Sequence, residues 1–128
     1  MSRNIYLNST EELIKYINED LQNESLIILD SALEQFKLHS NLNASHVYLK
    51  VSEETKNLET VEKIWEIMFS SNLNRSHEIV IIGGGVMLDL CSFAASTFKR
   101  GISYTLVPST LLAMVDASHG GKNGFNND

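Results

Sequence analysis

The run Glu78-Ile79-Val80-Ile81-Ile82, apolar after its first residue, passes straight into Gly83-Gly84-Gly85, and a second apolar segment starts at Val86. A short, continuous apolar run bounded by a turn signal reads as a strand buried on both faces. Val86 to Phe98 continues as a helix, so the glycines form a strand-to-helix turn. Strands of this kind belong to parallel sheets whose crossovers are helices. Glycine also lets backbone N–H groups approach an anion closely, and a helix N-terminus offers unpaired donors with a partial positive charge.

The rest of the chain repeats the alternation. Ile5 to Leu7 is expected as a short first strand. Ser9-Thr10-Glu11-Glu12 has capping-box spacing, and Leu13, Ile14, Ile17 and Leu21 follow at helical period. Ser25 to Leu29 reads as a buried strand ending at Asp30, Ser31 to Leu38 as a helix, and His46 to Val51 as another strand. Leu58, Val61, Ile64, Trp65 and Met68 mark an amphipathic helix with Asn57 as its cap. Tyr104 to Val107 is expected as a strand, and Thr110 to Val115 as a short helix after Pro108. The expected fold class is α/β, a Rossmann-like, mainly parallel sheet with flanking helices. No internal repeat, low-complexity tract or linker divides residues 1–128. Asn127-Asp128 follow a glycine-rich loop rather than a closing helix or strand, so the chain reads as a fragment.

Charge and composition narrow the partners. The formal net charge of -6 and the lack of any Lys/Arg cluster argue against nucleic acid, whose phosphates demand a basic face. The polar N-terminus has no apolar core of a secretory signal, and the longest apolar stretch is broken by glycines and stopped by Asp89, well short of a membrane span. Cys91 is the single cysteine, which excludes an internal disulfide and suits a reducing compartment, so a cytoplasmic protein is expected.

Two glycine clusters, Gly83 to Gly85 and Gly120-Gly121-Lys122-Asn123-Gly124, sit with Asp89, Arg100 and Asp116, and together they point to a site for a phosphorylated ligand. Each member has a plainer alternative. The first glycines also suit a tight turn that binds nothing. Leu88 stands where the usual dinucleotide fingerprint has its last glycine and would hold the helix farther from the strand. Asp89, read as lying in the first helical turn, would complement the helix dipole, and Asp30 would cap the segment from Ser31. Arg100 and Lys122 would be solvated cations. Asp116 beside an apolar helix is harder to set aside, because a buried carboxylate needs partners. His39, His46, His77 and His119 show no metal-ligand spacing, and Cys91, Trp65 and the methionines read as core.

The block Gly83-Gly84-Gly85-Val86-x-x-Asp89, then Phe93-x-Ala95-x-Thr97-x-x-Arg100-Gly101, then Pro108-Ser109-Thr110-Leu111-Leu112-Ala113, Asp116-x-Ser118-x-Gly120-Gly121-Lys122 and Gly124-Phe125-Asn126 resembles the dehydroquinate synthase family of sugar-phosphate cyclases. The order and spacing hold without a gap. Upstream, Asp30 matches the family's strand-end acid, and Glu53-Glu54-Thr55-Lys56 matches its GExxK stretch with Ser52 in place of the glycine. Leu88 and Ser92 replace common glycines, Ser109 replaces a threonine, and His119 stands at a usually apolar position.

By that resemblance, Asp30, Glu53, Lys56, Gly84, Gly85, Val86, Asp89, Ser109 and Thr110 would contact NAD. Asp116, Lys122 and Arg100 would contact substrate, with the arginine reaching a neighbouring subunit's site in a homodimer. The implied chemistry converts a seven-carbon keto-acid phosphate (DAHP) to a cyclised product and phosphate, with NAD regenerated at each turnover. A divalent metal, zinc or cobalt, is implied for the complete enzyme, held by a Glu and two His of a helical C-terminal domain that residues 1–128 do not contain. Retention of the Gly-Gly-Lys segment favours the dehydroquinate-forming branch. The alternatives are another sugar-phosphate cyclase, a metal-dependent polyol dehydrogenase, or a stand-alone domain that binds nucleotide or only dimerises.

Overall fold

A computed structural model describes residues 2–7, 9–20, 25–37, 45–74 and 76–108. The strands are β1 (Ser2–Asn4), β2 (Ser25–Asp30), β3 (Ser45–Leu49), β4 (Glu78–Gly83) and β5 (Ser103–Pro108). They form one sheet in the order β1-β5-β4-β2-β3, and every neighbouring pair is parallel.

Side-chain alternation along the two central strands divides the core. Leu26 and Ile28 of β2 join Ile79 and Ile81 of β4 on one face; Ile27 and Leu29 join Val80 and Ile82 on the other. Ile79, Val80, Ile81 and Ile82 are all fully buried, each contributing about 1.5–3 kcal/mol of hydrophobic stabilisation. The first face is covered by α2 (Leu58–Ser70) and α3 (Gly85–Thr97), through Val61, Ile64, Met68, Leu90, Cys91 and Ala94. Trp65 ties the two helices together, its Nε1 donating to the Ala94 carbonyl at 3.1 Å and to Thr97 Oγ1 at 3.2 Å. The second face is covered by α1 (Thr10–Lys15), which runs on as a wider π turn over Tyr16–Asp20, and by a 3-10 segment at Ser31–Phe36. Ser9 caps α1 by accepting from the Glu12 N–H at 3.1 Å, and Asn57 caps α2 by accepting from the Thr60 N–H at 3.0 Å.

Four expectations change. The first strand is Ser2–Asn4 rather than Ile5 to Leu7, because its register is set by polar contacts. Arg3 donates to Thr105 Oγ1 at 3.3 Å and pairs with Glu78 at 3.1 Å, while the buried Thr105 hydroxyl bonds Glu78 in turn. The segment after Asp30 is a 3-10 helix, ended by Lys37 in the left-handed region at φ 56°. Leu58, counted in the apolar stripe of α2, is 61% exposed. Leu88 does not hold α3 away from β4, because the close approach is made one residue earlier. A Cβ on Gly83 would lie 2.8 Å from Met87 Cγ and 3.2 Å from Asp30 Cβ. Gly83 is therefore the residue that lets helix and strand pack closely. Leu21, Leu38 and the helix expected at 110–115 lie outside the described residues. Among the described residues no helix is long and apolar enough to cross a membrane.

Candidate functional site

The sheet order creates a crevice. From β2 the chain moves outward to β3, whereas from β4 it moves the other way to β5, so the C-terminal ends of β2 and β4 flank a topological switch point. Open α/β sheets bind ligands at such points. Asp30 ends β2, and Gly83 ends β4 directly beside it.

The turn after β4 presents backbone donors that an anion could accept from. Gly84 is the N-cap of α3 and supplies no side-chain hydrogen bond, and the first turn of α3 carries no acidic residue. The first intrahelical bond runs from the Leu88 N–H to the Gly84 carbonyl at 2.9 Å, leaving the N–H groups of Gly85, Val86 and Met87 without helical acceptors. A Cβ on Gly85 would meet nothing within 4 Å, so the space over the turn is open on this side. Asp89 lies beyond the first turn, which removes its reading as a simple dipole partner. Its carboxylate instead accepts from Lys56 Nζ at 3.0 Å. That hydrogen bond, then the charge of Asp89 and the charge of Glu53, raise the Lys56 ammonium above its ordinary 10.5.

Lys56 and Asp89 stand at the edge of a groove of ≈ 490 Å³ between the start of α2 and the middle of α3, lined also by Asn57, Leu58, Val61, Leu90 and Phe93. Sequence reasoning missed this groove. Its signal would have been two large apolar residues, Leu58 at the start of α2 and Phe93 two turns into α3, but helical periodicity alone assigns Leu58 to a core. Asp30 plays the capping part as well, accepting from the Ala32 N–H at 2.9 Å, and it remains at the crevice while doing so. Burial pushes the Cys91 thiol up to about 12, with a smaller contribution from the charge of Asp30. It sits 3.9 Å from the Met87 sulfur and serves as core rather than as a nucleophile.

The structure thus brings together Asp30, Gly84, Gly85 and Val86 at the ends of β2 and β4, and Glu53, Lys56 and Asp89 where the β3–α2 connection meets α3. Arg100 is placed elsewhere. It follows α3, which has 13 residues and at about 1.5 Å per residue carries the chain about 20 Å from the glycine turn towards the opposite ends of the strands. Pro108 pairs with Gly83 at the end of β5. Ser109, Thr110, Asp116 and Lys122 lie outside the described residues. Among the described residues no three His, Cys, Asp or Glu side chains are grouped so that they could hold a metal ion.

The chain is similar to 3-dehydroquinate synthase of Campylobacter curvus (strain 525.92), with 39% identity over 130 residues covering 97% of this chain and 36% of the relative. Among solved structures it is similar to 2-epi-5-epi-valiolone synthase from Streptomyces hygroscopicus subsp. jinggangensis 5008, solved with NAD+ and Zn2+ bound. The TM-score is 0.68 at 22% identity, over 91% of this chain and 35% of that one. A second likeness is to a 2-deoxy-scyllo-inosose synthase, with a TM-score of 0.62 at 26% identity, over 82% of this chain and 32% of that one. The chain therefore spans about a third of the length of the proteins it matches. Residues 46–128 match the family described as 3-dehydroquinate synthase N-terminal, and the chain belongs to that family.

Proposed function

We propose that this chain is the NAD-binding part of a 3-dehydroquinate synthase that works as a cytoplasmic homodimer on DAHP. The observation that carries the reading is the uncapped N-terminus of α3, set behind Gly83 to Gly85 at the switch point between β2 and β4. Its residues fit a dinucleotide. The N–H groups of Gly85, Val86 and Met87 would receive the pyrophosphate, which brings the negative charge that α3 lacks in its first turn. Asp30 would take the adenosine ribose while still capping the 3-10 segment. Glu53, Lys56 and Asp89 would fix the remainder of the cofactor, and Ser109 and Thr110 would add hydroxyl contacts. When bound, NAD supplies a transient hydride acceptor that returns the hydride before product leaves. Asp116 and Lys122 would hold the substrate's polar and anionic groups, lysine acting as a compact point charge. Arg100 would serve the site of the neighbouring subunit, consistent with its distance from the glycine turn of its own chain. The described residues offer no metal site, and the zinc or cobalt of the complete enzyme is assigned to its other domain.

Gly84→Val tests the reading. The backbone at Gly84 is extended (φ -89°, ψ -173°), a conformation valine accepts, so the fold is expected to survive. The branched side chain would stand where backbone must approach phosphate. NAD affinity measured by calorimetry should fall at least about tenfold, about 1.4 kcal/mol. Equal binding by variant and parent would reduce the glycines to a turn.

A further inference from the structure

Lys56 reaches Asp89 from a turn in which the Thr55 side chain is tied to Ser52. The Ser52 N–H donates to Thr55 Oγ1 at 2.8 Å, and the same hydroxyl donates to the Ser52 carbonyl at 3.0 Å. Backbone bonds from Thr55 N–H to the Ser52 carbonyl (3.0 Å) and from Lys56 N–H to the Glu53 carbonyl (3.2 Å) close the 3-10 turn Glu53–Thr55. The Thr55 carbonyl then accepts from the Asn57 N–H at 2.9 Å, and Asn57 caps α2. Thr55 thus joins the turn to the start of α2, with Lys56 held between two anchored neighbours. A three-residue 3-10 turn is marginal by itself, and a side chain that both donates and accepts is what secures it. Without that tie, the flexible stem of Lys56 has no fixed origin from which to meet a carboxylate on a different helix.

Resting on the cofactor reading above, we propose that Thr55 is a positioning residue: its hydroxyl sets Lys56 against Asp89 and so prepares both for the cofactor. Ser52 sits at a position where the resemblance expects glycine, yet its backbone is extended (φ -154°), which any residue adopts. The turn's shape is therefore carried by the hydroxyl of Thr55 and not by a glycine.

The test compares Thr55→Val, Thr55→Ala and Thr55→Ser in the purified protein, with Asp89→Asn as reference, by two readouts. The first is the rate at which acetic anhydride labels Lys56, read by peptide mass spectrometry against Lys63. An ion-paired ammonium reacts slowly, so Thr55→Val, Thr55→Ala and Asp89→Asn should all label Lys56 several-fold faster than the parent, and Thr55→Ser should match the parent. The second is NAD affinity, expected to fall about fivefold to tenfold in the valine and alanine variants and to be kept in the serine variant. Parent-like labelling of Lys56 in both variants that lack the hydroxyl, while Asp89→Asn is accelerated, overturns the proposal. So does a serine variant that behaves like valine. A parent protein that fails to bind NAD would strike the cofactor reading alone, and the labelling rates would still decide on Thr55.

Discussion

In the complete enzyme, Arg100→Ala and Lys122→Ala are each expected to lower turnover of DAHP by on the order of a hundredfold or more while NAD binding stays nearly unchanged. Both cations are assigned to the anionic groups of the substrate, Lys122 from a glycine-rich loop and Arg100 as a planar fork suited to phosphate or carboxylate. The structure adds a sharper form of the experiment. Arg100 lies past the far end of α3, about 20 Å from the glycine turn of its own chain, so under the proposed function it would reach substrate from a neighbouring subunit. Mixing the two inactive variants as unfolded chains and refolding them together should therefore restore activity. A dimer with one subunit of each type holds one site with an intact lysine from its own chain and an intact arginine from its partner. Random pairing would bring back about a quarter of parental activity. No recovery in demonstrably mixed dimers would show that the arginine does not cross the interface. A loss of NAD binding as deep as the loss of turnover would move the cations from substrate to cofactor.

The second large effect is a complete one. Residues 1–128 prepared alone and supplied with NAD, zinc and DAHP are expected to release phosphate only at background. Under the proposed function the reaction would use a Lewis acid on the reacting oxygens, and His39, His46, His77 and His119 show no metal-ligand spacing. Phosphate release is the assay, and a preparation of the Gly84→Val variant serves as the blank for host enzyme carried through purification. Turnover that survives in the parent and disappears in that variant would show that these residues form a complete catalytic site.

Much of the sheet was legible because Ile79 to Ile82 and Leu26 to Leu29 are continuous apolar runs, a pattern that only a strand covered on both faces requires. The cap at Asn57 was legible for a similarly local reason. The glycine turn was legible too, although the close contact it permits falls at Gly83 and Met87 rather than at the helix position the nucleotide fingerprint would suggest. What could not be read were contacts that depend on how helices pack. Lys56 and Asp89 are 33 residues apart and meet only because α2 and α3 lie side by side on one face of the sheet. Leu58 follows the helical period faithfully, yet it falls where α2 borders the groove instead of the core. Periodicity gives the direction of a side chain around its helix and nothing about what stands opposite. The first strand was misplaced because Arg3, a charged residue, holds its register through Thr105 and Glu78, whereas the reading looked for apolar residues.

The pairing of β1 with β5 also sets a timetable for synthesis. Arg3 and Thr105 are separated by 102 positions, so at about 5–20 residues per second a nascent chain spends roughly 5–20 seconds with its first strand made and that strand's partner not yet translated. β4, the most apolar strand, precedes β5 along the chain, so it emerges from the ribosome ahead of β5 with one long edge still bare. That edge is the point at which a half-made chain is most exposed to pairing with another. Arrival of β5 covers it, and β1 then closes the outer side of β5 with Arg3 and Asn4, polar residues that make a poor template for a further strand. Of the five strands, the one translated first is the one whose partner is translated last.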